Sequence, residues 1–256
     1  MRRTAVRPTG RARPAAAFII GALFLTFCGG RGGAMTEPQD PGSDPSSTAR
    51  RRMVSEQIEG RGVRDPRVLE AMRRVPRHLF VPPGLRARAH EDNPLPIGEG
   101  QTISQPYIVA FMTEAARLRP GDRVLEVGTG SGYQAAVLSA LGARVFSIEI
   151  LPGLAESARR SLEAAGFEDV AVRTGDGFRG WPEEAPFDAI LVTAAPDEVP
   201  APLLEQLKQG GRIVIPVGTG SQELIRMTRT EHGFEREELL PVRFVPMTGE
   251  ARQPRH

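Results

Sequence analysis

The stretch Val124-Leu125-Glu126-Val127-Gly128-Thr129-Gly130-Ser131-Gly132-Tyr133 constrains this chain more than any other. It passes from an apolar strand pattern through glycines at alternate positions into a helical pattern. Such glycines permit a sharp turn and a close approach of backbone to ligand, and the helix that follows offers free N–H groups. Spacing sets the ligand class. A dinucleotide fingerprint needs Gly-x-Gly-x-x-Gly, whereas here Tyr133 stands where the third glycine belongs. A dehydrogenase is therefore the least favoured reading. Glu126 stands two residues ahead of the first glycine. A pyrophosphate would be repelled by that carboxylate, while an ammonium group is accommodated. The pattern favours S-adenosylmethionine, whose amino-acid end carries an amino group and whose sulfonium is cationic; a ligand-free glycine turn is the bland alternative.

The flanking pattern supplies the fold class. Strands are predicted over 123–127, 144–150, 170–174, 187–193 and 212–217, and helices over 131–141, 153–165 and 201–209. Continuous apolar runs such as Ala189-Ile190-Leu191-Val192 suit strands buried on both faces. Alternation of strand and helix implies an α/β fold with a doubly wound, mostly parallel sheet, Rossmann-like. Residues 223–229 and 239–245 read as an antiparallel hairpin turning at His232-Gly233. Ahead of the sheet, short helices are predicted over 53–60, 66–75 and 107–118, the second started by Asp65-Pro66. Residues 84–104, punctuated by Pro94, Pro96, Gly98 and Gly100, read as loop.

Two more acids fall at predicted strand ends. Glu149 is placed to accept hydrogen bonds from ribose hydroxyls, and Asp176, in Gly175-Asp176-Gly177, from an adenine amino group. One such acid is ordinarily a solvated turn. Three of them (Glu126, Glu149, Asp176) at successive strand ends favour a ligand crevice over three solvated turns.

Composition narrows the function classes. A single cysteine rules out an intramolecular disulfide framework and a cysteine-based zinc site, and four scattered histidines form no metal-ligand pair. No metal site is expected. Basic residues outnumber acidic ones, 33 to 31, but six arginines and no acid lie in residues 1–34, so the remainder is mildly acidic. That argues against nucleic acid as partner, because phosphate binding needs clustered positive charge.

The N-terminus reads separately. Arg2, Arg3, Arg7, Arg11 and Arg13 precede an apolar run over 15–27, the layout of a signal peptide, too short for a transmembrane helix. Leu25-Thr26-Phe27-Cys28 loosely resembles a lipoprotein box. Residues 29–52 are Gly-, Pro-, Ser- and Asp-rich and read as a disordered linker. Export with a lipid on Cys28, or translation starting at Met35 or Met53, both explain this; in either case residues 1–52 are expected to lie outside the fold. Domain limits are set at 53–250, with a tail over 251–256.

From Met53 to about Glu250 the chain resembles the protein-L-isoaspartate O-methyltransferases, class I S-adenosylmethionine-dependent enzymes. The resemblance is carried by Leu95-Pro96-Ile97-Gly98-Glu99-Gly100-Gln101-Thr102-Ile103-Ser104-Gln105-Pro106-Tyr107, by 124–134, by Gly175-Asp176-Gly177, by 187–196 and by Val242-Arg243-Phe244-Val245-Pro246. The first of these is the most restrictive. The resemblance implies methyl transfer to the free α-carboxylate of L-isoaspartyl residues in damaged proteins and peptides, which initiates repair. It implies Ser104 as the active-site residue, with Thr102 beside it. The residues themselves leave open whether Ser104 orients a carboxylate oxygen or caps the next helix. Cofactor contacts are expected from Glu126, Gly128, Thr129, Gly130, Ser131, Gly132, Glu149, Ile150, Asp176 and Gly177. Substrate contacts are expected from Val242, Phe244, Val245 and Pro246 on a strand lining the peptide groove; plain edge packing is the alternative. Phe178 and Trp181 are expected to cover the sheet. The expected partners are isoaspartyl proteins and peptides, with a membrane only if the N-terminal segment is real and lipidated. The expected state is a cytoplasmic monomer, with an exported or envelope-anchored form as the alternative. A methyltransferase for another carboxylate or small molecule, and a non-catalytic cofactor-binding protein, are the competing functions.

Overall fold

A computed structural model describes residues 45–252. Its centre is a seven-stranded sheet in the order β5-β4-β3-β6-β7-β8-β9. The strands are β3 (Arg123–Val127), β4 (Arg144–Glu149), β5 (Ala171–Thr174), β6 (Phe187–Val192), β7 (Leu207–Val217), β8 (Gln222–Thr230) and β9 (Gly233–Val242). The first five are mutually parallel; β8 and β9 add antiparallel at one edge. The Rossmann-like expectation holds.

The continuous apolar runs have the cause the sequence implied. Alternate residues of the central strands feed two cores on opposite faces. Val124, Val145, Leu191 and Val214 join one core with residues of the helices α2 (Pro66–Arg74), α3 (Pro106–Ala116) and α4 (Tyr133–Ala140); α1 (Pro45–Arg52) packs against α2. Leu125, Phe146, Ile190 and Ile213 join the other, against Leu203 of α6 (Ala201–Glu205). Phe178 and Trp181 pack onto this second core, Trp181 edge-on to Phe146 with ring centroids 5.7 Å apart. Each fully buried side chain of this kind contributes about 1.5–3 kcal/mol. The helix α5 (Pro152–Ala164) connects β4 to β5, and the crossovers bring the glycine turn and the acidic strand ends to one edge of the sheet.

Four expectations need correction. The first helix begins at Pro45, not at Met53, and continues through a π-helical stretch, Met53–Ile58, into a tight turn over Glu59–Arg61. Arg50 is buried and its Nε donates to the Arg73 carbonyl over 2.5 Å. Residues 45–52 therefore belong to the folded unit; polar and basic composition hid a helix held by one buried arginine. The rest of the expected linker and the signal-like segment lie outside the described residues. Second, the supposed loop 84–104 contains a hairpin of β1 (Leu95–Gly98) and β2 (Gln101–Ile103), turning at Glu99 and Gly100 with φ of 49° and 72°. Strands of three and four residues give no periodicity to read. Third, α6 stops at Glu205 and β7 starts at Leu207 rather than Arg212; its pairing with β6 shifts register between Leu207 and Arg212, opposite Phe187–Ala189, and this irregular stretch hides the strand's first half from an apolar pattern. Fourth, β9 starts at Gly233 and ends at Val242. Its first half is exposed on the sheet edge, so it lacks an apolar alternation, and residues 243–246 are not strand.

Candidate functional site

The glycine turn is fixed by its own backbone. Gly128, Gly130 and Gly132 have φ of 96°, 53° and 88°, a region that side chains disfavour. At Gly128 a Cβ would also lie 2.3 Å from Thr193 Oγ1. The Gly128 and Thr129 amides both donate to the Ile148 carbonyl, at 2.8 and 3.2 Å. Glu149, at the end of β4, then clamps the turn. Its Oε2 accepts from the Gly130 amide at 2.8 Å and its Oε1 from the Leu151 amide at 3.0 Å. The third acid is anchored too. Asp176 accepts from the Phe178 amide at 2.9 Å and from the Glu250 amide at 2.8 Å. Gly177 next to it packs so closely on Val127 that a Cβ would lie 2.4 Å from its Cγ1.

Glu126 differs from both. It is fully buried at the end of β3, and one oxygen accepts a short hydrogen bond from Ser147 Oγ. That hydroxyl also pairs with Thr129 Oγ1 at 2.5 Å. The other oxygen, Oε1, is buried with no hydrogen-bond partner among the described residues. Burial, with a smaller contribution from the Glu149 charge, pushes this carboxyl up to about 8; the Ser147 hydroxyl and, less strongly, the Ala135 backbone N–H oppose the shift. A buried acceptor without a donor is costly, and it sits in the wall of a cleft.

That cleft gathers most of the expected site. Thr102, Ser104, Glu126, Gly128, Thr129, Gly130, Ser131, Glu149, Ile150, Asp176, Gly177, Val245 and Pro246 all line it. Ser104 does not cap α3: the N-cap is Gln105, without a side-chain hydrogen bond. Residues 245–247 reach the cleft as an irregular segment tied to Ala195, whose amide donates to the Val245 carbonyl at 2.8 Å and whose carbonyl accepts from the Met247 amide at 2.7 Å. Three expected residues stand apart from the lining. Gly132 shapes the turn from behind, against Leu162. Val242 and Phe244 pack on the larger core, and the Phe244 amide donates to Gln222 Oε1 at 2.6 Å.

The sequence matches the protein-L-isoaspartate(D-aspartate) O-methyltransferase family over residues 48–252. The chain belongs to this family. It is 59% identical over 220 residues to the protein-L-isoaspartate O-methyltransferase of a Synechococcus strain, a match covering 82% of this chain and 90% of that one. It is 57% identical over 203 residues to that of Gloeobacter violaceus, covering 78% and 99%. A solved protein-L-isoaspartate O-methyltransferase superposes with a TM-score of 0.72 at 32% identity, covering 78% of this chain and 67% of that one. A Plasmodium falciparum structure assigned to the same enzyme class, in complex with S-adenosyl-L-homocysteine, superposes with a TM-score of 0.69 at 25% identity, covering 78% and 98%.

Within this member of the family, sequence reasoning missed Ser147, Thr193 and Met247. Ser147 had a legible signal: it is a lone hydroxyl in the apolar strand Arg144–Glu149 and pairs in register with Glu126. Thr193 donates to the Gly128 carbonyl at 2.5 Å and so braces the turn; only the fold brings the two together. Among the described residues, no three His, Cys, Asp or Glu form a metal-holding group, and no helix is long and apolar enough to cross a membrane.

Proposed function

We propose that this protein transfers a methyl group from S-adenosylmethionine to the free α-carboxylate of L-isoaspartyl residues in damaged proteins and peptides. One observation carries the reading: a single cleft joins three strand-end acids and the glycine turn to the Thr102–Ser104 segment. The residues fit the cofactor. Glu126 Oε1, buried and without a donor, suits its amino group. Glu149 keeps lone pairs for ribose hydroxyls after binding two amides, and Asp176 does the same for the adenine amino group. The turn from Gly128 to Ser131 supplies backbone at close range.

Bound there, the cofactor supplies an activated methyl on a cationic sulfur. The chain's own task is then modest. A carboxylate with a pKa of about 4 is already ionised at neutral pH, so no general base is needed. Ser104 and Thr102 donate hydrogen bonds that aim a carboxylate oxygen along the line of transfer. Val245 and Pro246 hold the substrate side of the cleft, and apolar neighbours such as Ile103 and Met247 keep water out. Alignment of this kind is worth about 7–11 kcal/mol. The backbone amide nitrogen of the following residue can then attack the methyl ester and expel methanol, forming a succinimide that water opens at either carbonyl, in part to normal aspartate.

We assign residues 45–252 as the catalytic unit. The need for the methyl donor favours the cytoplasm as its compartment, and we take the working state to be a monomer. A methylation assay comparing an isoaspartyl peptide with its aspartyl twin tests the activity. The isoaspartyl peptide alone is expected to be labelled; equal labelling, or labelling of neither peptide by a protein that binds the cofactor, would point to another acceptor.

A further inference from the structure

Among the described residues, Arg77 is the largest fully buried side chain, and it belongs to no part of the cleft lining. A cation there is expensive unless its donors are used. Its Nε donates to the Ala89 carbonyl at 2.7 Å and its Nη2 to the Ser104 carbonyl at 2.8 Å, while Nη1 is buried without a hydrogen-bond partner among the described residues. Its guanidinium carbon lies 4.7 Å from the centroid of the Tyr133 ring. Burial lowers its pKa to about 10, so it remains a cation at neutral pH.

These contacts join two walls that the chain otherwise builds from distant segments. Ser104 belongs to the wall assigned to the substrate. Tyr133 opens α4 directly after Gly132, and so carries the end of the glycine turn. Tyr133 is itself immobilised, with its ring 5.6 Å from that of Phe80 and its hydroxyl 3.8 Å from Met72 Sδ. A hydrogen bond to the Ser104 carbonyl fixes the peptide plane after that residue, and with it the direction in which the hydroxyl leaves the backbone. A planar fork that bonds two carbonyls while stacking on a ring is what arginine offers and lysine does not.

We infer that Arg77 is a positioning residue for methyl transfer, setting the place of Ser104 relative to the glycine turn. The inference rests on the function proposed above. It explains why a full charge is kept in a site where an apolar residue would fill the same space.

The test uses the full chain with Arg77→Lys, and Arg77→Met as the more severe variant. Turnover of an isoaspartyl peptide is normalised to sites that bind S-adenosylhomocysteine in calorimetry, so that unfolded protein does not count. For Arg77→Lys, kcat per binding site is expected to fall about tenfold or more, as misplacement of a reacting group does, while the dissociation constant for S-adenosylhomocysteine stays at the wild-type value. A purely structural strut would lower the number of binding sites and leave kcat per site unchanged, and that result would overturn the inference. Hydrogen exchange supplies a readout that needs no methyl transfer. In the wild type, S-adenosylhomocysteine is expected to protect the amides of both 128–132 and 101–105. In Arg77→Lys the first protection persists and the second is lost. Persistence of both in the variant would overturn the coupling even if the wild type proved to methylate some other acceptor, whereas absence of isoaspartyl-specific turnover in the wild type would count only against the proposed activity.

Discussion

Ser104 lies one residue before the N-cap of α3, the position from which a serine hydroxyl would serve the helix. Here the helix starts without it, since Gln105 is the N-cap, and the serine lines the cleft instead. A hydrogen bond to a charged group is worth about 1.5–3 kcal/mol. Ser104→Ala is therefore expected to lower kcat for an isoaspartyl peptide by about tenfold to a hundredfold, with cofactor affinity unchanged by calorimetry. A matching loss of cofactor affinity would mean that the hydroxyl serves the cofactor rather than the acceptor. At this scale the sequence was informative where residue type and strand position sufficed, as for Glu126, Glu149 and Asp176. It was silent where partnership depends on register or on distant packing. Ser147 bonds Glu126 only because β3 and β4 pair Glu126 with Ser147, and Arg77 meets Ser104 across 27 positions of chain.

The elements divide the same way. The strands β3, β4 and β6 were legible because both faces of the sheet are covered, which gives near-continuous apolar runs rather than alternation. The hairpin β1–β2 was not, since its shape comes from backbone conformation at Gly98, Glu99 and Gly100. Nor was the exposed start of β9, which hydrogen-bonding to β8 holds in place without help from an apolar face. The helix α1 is the most consequential omission, because its length decides where the folded unit begins. Arg50 donates to the Arg73 carbonyl at the end of α2, and Met53, Val54 and Ile58 are buried in the core that follows. A chain starting at Met53 loses Arg50 and exposes the first turn of the π-helical stretch. It is expected to be about 1.5–3 kcal/mol less stable than one starting at Pro45, the worth of a hydrogen bond from a charged donor to a half-buried carbonyl. Urea denaturation of the two truncated chains checks this, and equal midpoints and slopes would restore Met53 as the boundary.

The whole molecule feels the cleft through one proton. Glu126 is held near 8 in the folded protein against an ordinary value of 4.5, first because it is buried and then because Glu149 is charged nearby. The folded state therefore binds a proton that the unfolded chain releases at lower pH. Its contribution to stability is fully present below about 4.5 and is lost as pH rises through about 8. The unliganded protein should accordingly lose stability between those limits as pH rises, and Glu126→Gln, neutral at every pH, should flatten that part of the curve. Cofactor binding acts on the same proton in the opposite sense. In the complex proposed above, an ammonium group beside Oε1 favours the carboxylate, so binding near pH 7 is expected to release a proton that the unliganded protein held. Calorimetry of S-adenosylhomocysteine binding in two buffers with different ionisation enthalpies measures that release directly. The apparent enthalpies should differ between buffers for the wild type and agree for Glu126→Gln. Agreement for the wild type as well would mean either that Glu126 is already ionised before the ligand arrives or that its Oε1 does not meet the cofactor's amino group.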